Sequence, residues 1–220
     1  ADGDALTVGD VHNHIHYLLA VHRLEDPEGF IFATGRDAGI PHSRGSQDAL
    51  IRLGESIVFD IFPREVGGGY FFDITRTFCL EYAPEPVQRL HTDTVECLEF
   101  IKARIQVGEE TRRYQQMACQ FYEERGYPTI GQDPTTIEGY VHGVGHGLGL
   151  EIHESPGFQD APVNTTRLEP GHVFTVEPGL YFPEDGMGCR MEDVVWINED
   201  GDVHNLTEAP YNLVVPMGDR

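Results

Sequence analysis

Four carboxylates and three histidines stand where this chain could do chemistry. Asp60 ends the apolar run Ile57-Val58-Phe59, and Asp73 sits inside the aromatic and β-branched stretch from Tyr70 to Leu80. An unpaired carboxylate is costly to bury. Two carboxylates held side by side cannot both stay ionised unless something positive lies between them, and a metal ion meets that need. Taken alone, the pair fits equally well one Asp that caps a turn and another that pairs with Arg76. Glu177 follows Phe174-Thr175-Val176 and precedes a Pro178-Gly179 turn. Glu192 comes two positions after Arg190, and the two-residue period of a strand puts both on one face with Val194 and Trp196. A buried Arg190–Glu192 ion pair is the purely structural alternative there.

His142, His146 and His153 fall within twelve residues, in the run His142-Gly143-Val144-Gly145-His146-Gly147-Leu148-Gly149 and its continuation to Glu154. The spacing of the first two suits ligands one helical turn apart, but glycine fills four of the positions from 143 to 149. Each glycine costs a helix roughly 1 kcal/mol relative to alanine, so this is not a helical zinc motif. It reads as extended backbone that passes close to a ligand or another strand. Together, two Asp, two Glu and one His make an oxygen-dominated donor set. Four carboxylates balance two divalent cations, and such hard ligands suit Mn or Co, with Zn and Fe also admissible. Two cations about 3.5–4 Å apart can activate one shared water at neutral pH.

The elements that must position these groups follow from periodicity. Leu6 to Ala20 predicts a helix, and Glu28 to Ala33 a strand. A loop rich in Gly, Pro and polar residues runs from Thr34 to Asp48. Ile57–Asp60 and Tyr70–Leu80 predict a hairpin around the Gly67-Gly68-Gly69 turn. Two helices are expected next. One runs from Pro84, a first-turn proline, to Val107, and the other from Thr111 to Arg125, with Gly126 as the stop. Short strands follow at Val173–Val176, Tyr181-Phe182, Met191–Ile197 and Val203–Leu206. This order predicts an α+β domain with a largely antiparallel sheet. No linker divides the chain, so residues 1–220 are read as a single domain.

The 220 residues suffice for one large core. Asp plus Glu total 37 against 15 Lys plus Arg, a formal charge of -22. A field of that sign repels phosphate backbones and anionic lipid, so neither nucleic acid nor membrane is an expected partner. It serves surface solubility, and some of its carboxylates are free to bind cations. The four cysteines, Cys79, Cys97, Cys119 and Cys189, show no close pairing, so a reducing, cytoplasmic location is the expectation. No apolar run approaches a membrane span, and Ala1-Asp2-Gly3-Asp4 lacks the basic start of a signal peptide.

The segments "FDIFPREVGGGYFFDITRTF", "HGVGHGLGLEIHESP", "FTVEPGLY" and "CRMEDVVWI" resemble the pita-bread metallopeptidases, the family of creatinase, methionine aminopeptidase, aminopeptidase P and prolidase. The likeness runs from about Thr34 to Ile197 with every motif in family order. It implies a curved antiparallel sheet flanked by helix pairs with pseudo-twofold symmetry. It implies Asp60, Asp73, His146, Glu177 and Glu192 as ligands of two divalent metals. Glu177 matches the general base, and His153 the residue that stabilises or protonates the tetrahedral intermediate. His42 matches a substrate-side histidine. His142 and Arg190 are similar to the Xaa-Pro peptidase branch, where they serve catalysis and substrate binding. The expected partner is a peptide with proline after the cleaved bond, and a homodimer is an expectation of the same kind. The Asp60–Asp73 loop is longer than the family's usual one, the usual amino-terminal domain is expected to lie outside these 220 residues, and His12, His14 and His16 have no family counterpart and read as a helix surface. The alternatives on this scaffold are a lyase or amidinohydrolase, or a peptide-binding module without catalysis.

Overall fold

Thr7 starts the first helix. Its side chain accepts from the Asp10 amide at 3.1 Å while its own amide donates to Asp10 Oδ2 at 2.9 Å, a reciprocal cap. The helix α1 therefore spans Val8–Val21, and Leu6, predicted inside it, stays outside and exposed. The structure is a computed structural model that describes residues 5–218, so the Ala1–Asp4 stretch lies outside the described residues.

The chain continues through β1 (Leu24–Glu25), β2 (Ile31–Thr34), β3 (Ile57–Ile61), β4 (Arg64–Glu65) and β5 (Ile74–Leu80). Helices α2 (Glu85–Lys102) and α3 (Arg112–Glu123) follow. Then come β6 (His146–Gly147), β7 (Glu154–Gly157), β8 (Val173–Val176), β9 (Gly179–Phe182), β10 (Met187–Arg190), β11 (Asp193–Ile197), β12 (Val203–Asn205) and β13 (Val214–Val215).

Two larger sheets carry the fold, with strand orders β13-β5-β3-β2 and β12-β11-β8-β6-β7. Every pairing between strands is antiparallel except β13 on β5. Val8, Ile15 and Leu19 of α1 pack on Phe32 and Ile57 of the first sheet and on Phe30 just before β2. Helices α2 and α3 bury Leu98, Ile101, Tyr114 and Tyr122 against Phe174, Leu180 and Met191. These apolar faces are the main source of stability, at about 25 cal/mol per Å² of apolar surface removed from water.

Three predicted boundaries move, each for a local reason. The strand expected from Tyr70 begins at Ile74, because Phe71 donates its amide to Gly149 and Phe72 to Pro63, outside any ladder. The alternation nevertheless holds, with Phe71, Asp73, Thr75 and Thr77 all buried. Helix α2 stops at Lys102 instead of Val107, since Arg104 and Ile105 donate to carbonyls three residues back and tighten the last turn. Pro84 is its N-cap, and Pro86 takes the first-turn place. The strand expected over Met191–Ile197 is broken. The Met191 amide donates to Pro178 and the Glu192 amide to Thr75, so the chain crosses from β10 to β11 there. This resets the alternation, and Trp196 faces outward while Arg190, Glu192 and Val194 are buried.

Candidate metal centre

The five carboxylate and imidazole groups sit where strands end. Asp60 is the penultimate residue of β3, and Asp73 directly precedes β5. In that ladder Asp60 lies opposite Thr75, which brings Asp73 alongside it. His146 opens β6, Glu177 follows β8, and Glu192 occupies the crossover between β10 and β11. The glycines around His146 have a packing reason. A Cβ on Gly145 would lie 2.0 Å from the Thr175 carbonyl oxygen, so only glycine lets this segment lie flush on β8.

All nine residues singled out by sequence line one cavity of about 420 Å³: Asp60, Asp73, His146, Glu177, Glu192, His42, His142, His153 and Arg190. Asp73, His146 and Glu192 each offer a ligand atom within 4.8 Å of the other two. His146 Nε2 lies 3.6 Å from Asp73 Oδ2 and 3.4 Å from Glu177 Oε1. The other ring nitrogen, Nδ1, is 3.0 Å from the Gly147 carbonyl oxygen, which can only accept, so Nδ1 carries the proton. Burial lowers the His146 pKa and keeps the ring neutral. Its Nε2 therefore points a bare lone pair at two carboxylate oxygens.

Three acceptor atoms of the cluster, Asp60 Oδ1, Asp73 Oδ1 and Glu192 Oε1, are buried without a hydrogen-bond partner. Burial, and then the charge of Asp60, pushes the Asp73 carboxyl well up. Burial followed by Asp73 does the same to Glu192. Burial raises Glu177 to about 8 against the opposing pull of Arg190. Acceptors converging on acceptors, with orphaned lone pairs, fit a cation and little else. This chain's residues fit a divalent metal centre by that test.

The two structural alternatives are set aside by geometry. Arg76 does not meet Asp73. It pairs with Asp193 at 2.9 Å and donates to the Glu192 carbonyl oxygen at 2.6 Å. Arg190 does not pair with Glu192. Its Nη2 donates to Asp60 Oδ2 at 2.6 Å, its Nη1 to Tyr181 and to the Pro41 carbonyl, and its Nε to Thr75 Oγ1. Thr75 in turn donates to Glu192 Oε2 at 2.7 Å, which aims that carboxylate.

His142 is held by the same network. Its Nδ1 lies 2.8 Å from the Gly143 carbonyl oxygen, so Nε2 accepts from the Tyr181 hydroxyl at 2.8 Å. Burial, with Arg190 nearby, drops its pKa to about 3, so it is a neutral imidazole. His153 stacks obliquely on His146 with ring centres 4.2 Å apart. His42 lies on the loop whose Pro41 carbonyl Arg190 holds. Tyr181 and Thr75 were missed by sequence reasoning. Their signal was weak, being a hydroxyl inside a predicted strand. His12 and His16 pack on Phe30, away from the cavity.

The sequence model of metallopeptidase family M24 matches residues 5–199. The chain is 32% identical over 185 residues to an uncharacterized peptidase of Bacillus subtilis, YqhT, covering 84% of this chain and 48% of that one. It is 31% identical over 201 residues to the Xaa-Pro dipeptidase of Pyrococcus furiosus, covering 91% and 53%. Among solved structures it is similar to the X-Pro aminopeptidase of Thermotoga maritima, with a TM-score of 0.81 at 29% identity, over 96% of this chain and 56% of the other. The chain spans about half the length of the curated relatives it matches. No helix among the described residues is long and apolar enough to cross a membrane.

Proposed function

We propose, for a chain that belongs to metallopeptidase family M24, that its cavity hydrolyses short peptides at the bond before proline. Asp60, Asp73, His146, Glu177 and Glu192 would hold two divalent cations, Mn or Co by the hardness of the donor set, with Zn and Fe as the alternatives. When bound, such ions polarise a carbonyl and make a water nucleophilic near neutral pH. The observation that carries the reading is the convergence of His146 Nε2 on Asp73 Oδ2 and Glu177 Oε1 at 3.6 and 3.4 Å, beside Asp60 Oδ1, Asp73 Oδ1 and Glu192 Oε1, which are buried without a hydrogen-bond partner.

The chain's own groups have these roles. Glu177, at the inner wall, accepts the proton of the attacking water and returns it to the leaving proline nitrogen. His153, beside His146, is neutral, its pKa lowered by burial and then by His146. It donates its single N–H to the developing oxyanion. His142, whose Nδ1–H is engaged by the Gly143 carbonyl, turns its acceptor nitrogen to Tyr181 and fixes that hydroxyl beside Arg190. Arg190 orients Asp60 and ties down the loop that presents His42 to the substrate. A reducing, cytoplasmic setting belongs to the same reading, with all four cysteines buried as free thiols.

The test is an assay of Xaa-Pro dipeptides on metal-stripped and Mn-reloaded protein. Hydrolysis should return with the metal and fall at least about 10²-fold in Glu177→Ala. Full metal-dependent activity in that variant would show that Glu177 is not the base.

A further inference from the structure

Helix α3 turns an apolar stripe of Tyr114, Ala118, Cys119 and Tyr122 into the core, yet Gln115 beside them is also buried, at 3% exposed. An amide in that setting is costly unless its polar atoms are paired. Both the oxygen and the nitrogen are. Gln115 Oε1 accepts from the Val144 amide at 2.6 Å and from the Tyr140 hydroxyl at 3.0 Å, and Nε2 donates to the His142 carbonyl oxygen at 3.1 Å. A backbone N–H can only donate and a carbonyl can only accept, so the oxygen faces Val144 and the nitrogen faces His142.

These bonds fall where the backbone lacks a ladder. Residues 141–145 lie in no strand. A strand passing beside them would offer a carbonyl to the Val144 amide and an N–H to the His142 carbonyl, and the Gln115 amide supplies that pair from a helix. On the opposite side the Val144 carbonyl accepts from the Glu177 amide at 2.8 Å, and the His146 amide donates to Thr175 Oγ1 at 3.0 Å. The segment is therefore gripped between α3 and the end of β8. Its two imidazoles follow its backbone, since His142 Nδ1 bonds the Gly143 carbonyl and His146 Nδ1 the Gly147 carbonyl. Between the two histidines only Val144 packs into the core, because Gly143 and Gly145 bring no side chain.

We propose that Gln115 is a positioning residue for the metal centre: by holding the His142 carbonyl and the Val144 amide it sets where His146 and Glu177 stand across the cavity, with His142 tied to the same segment. This rests on the metal-centre reading above. Gln115 does not line the cavity, so it acts through the backbone that carries the ligands, as supporting hydrogen bonds around a metal site do.

The experiment compares the unsubstituted chain with Gln115→Met, which keeps the length of the side chain and removes its hydrogen bonds. Hydrogen exchange read by mass spectrometry on the metal-free proteins should rise at least about tenfold over 141–147 and stay unchanged over α2 and β11. Calorimetric titration with Mn should show affinity down at least about tenfold in the variant. Gln115→Glu keeps the acceptor facing Val144 and turns a second acceptor on the His142 carbonyl. Its exchange should rise over the same residues by a smaller factor, which keeps the test decisive if Gln115→Met does not fold. Unchanged exchange over 141–147, or a rise shared equally by α2 and β11, overturns the proposal, because a side chain that serves general stability alone would loosen the whole chain. Local loosening with Mn affinity intact overturns it too. If the unsubstituted chain binds no Mn, the metal-centre reading fails and the positioning role fails with it, whereas Mn binding that ignores Gln115 removes the positioning role alone.

Discussion

Replacing Glu177 by glutamine should stabilise the metal-free protein and do so only at higher pH. Burial holds the Glu177 carboxyl at about 8 in the folded chain, against an ordinary 4.5. An acid whose pKa is raised on folding leaves stability intact below the unfolded value and removes it as pH rises toward the folded one. The penalty is under about 1 kcal/mol at pH 5 and about 4 kcal/mol at pH 8. Glutamine keeps the shape without the charge but loses the attraction of the Arg190 charge and weakens the Thr175 hydrogen bond, both of which favour the carboxylate, so the expected net gain at pH 8 is about 2–3 kcal/mol. Urea unfolding of the chelator-treated protein and of Glu177→Gln, at pH 5 and pH 8, measures it. With saturating Mn the order should reverse, because ligand binding stabilises the folded state by mass action and the variant binds less. A metal-free variant less stable than its parent at pH 8, or a difference equal at both pH values, would refute the argument that repelling buried acceptors define this cavity.

Two further outcomes follow from the supporting network. Arg190→Met leaves Asp60 Oδ2 without its 2.6 Å donor in a buried setting. It should destabilise the fold by about 3–5 kcal/mol in urea unfolding, and a loss under 1 kcal/mol would show that water replaces the guanidinium. Asp193 is buried, which alone would raise its pKa, but hydrogen bonds from Lys102 and Tyr211 with the charge of Arg76 lower it. Its stabilisation is present above the unfolded carboxyl pKa and disappears as pH falls through the lowered value, so Asp193→Asn should flatten the acid limb of a stability-against-pH curve.

The metal-ligand candidates were legible in sequence because each breaks a local rule. Asp60 and Asp73 put charge into apolar strands, Glu177 does so just before a Pro-Gly turn, and the glycines flanking His146 exclude a helix. The partners were not legible. Asp60 finds Arg190 across 130 positions and Arg76 finds Asp193 across 117. Local pattern can supply only nearer candidates, Arg76 for Asp73 and Arg190 for Glu192, and both fail. Helix cores were readable from their stripes, with Val87, Leu90, Thr94, Cys97, Leu98 and Ile101 buried on α2. Their ends were not, because the last turn of α2 depends on carbonyl choices that tertiary packing decides. The Met191–Glu192 crossover was hidden for a similar reason. Its backbone bonds go to Pro178 and Thr75, partners that lie far away in sequence, and the adjacent acids Glu192 and Asp193 carry no turn signal that would mark the break.

The most direct test of the metal centre is a calorimetric titration of the chelator-treated protein with Mn, alongside Asp73→Asn and His146→Ala. Two ions per chain should bind, with proton release that grows as pH falls toward 6 because the raised carboxyls must ionise. Each variant should lose at least one ion or about tenfold in affinity. Absence of Mn, Co or Zn binding by the unsubstituted chain, or binding unchanged in both variants, would contradict the assignment of this cavity as a two-metal site.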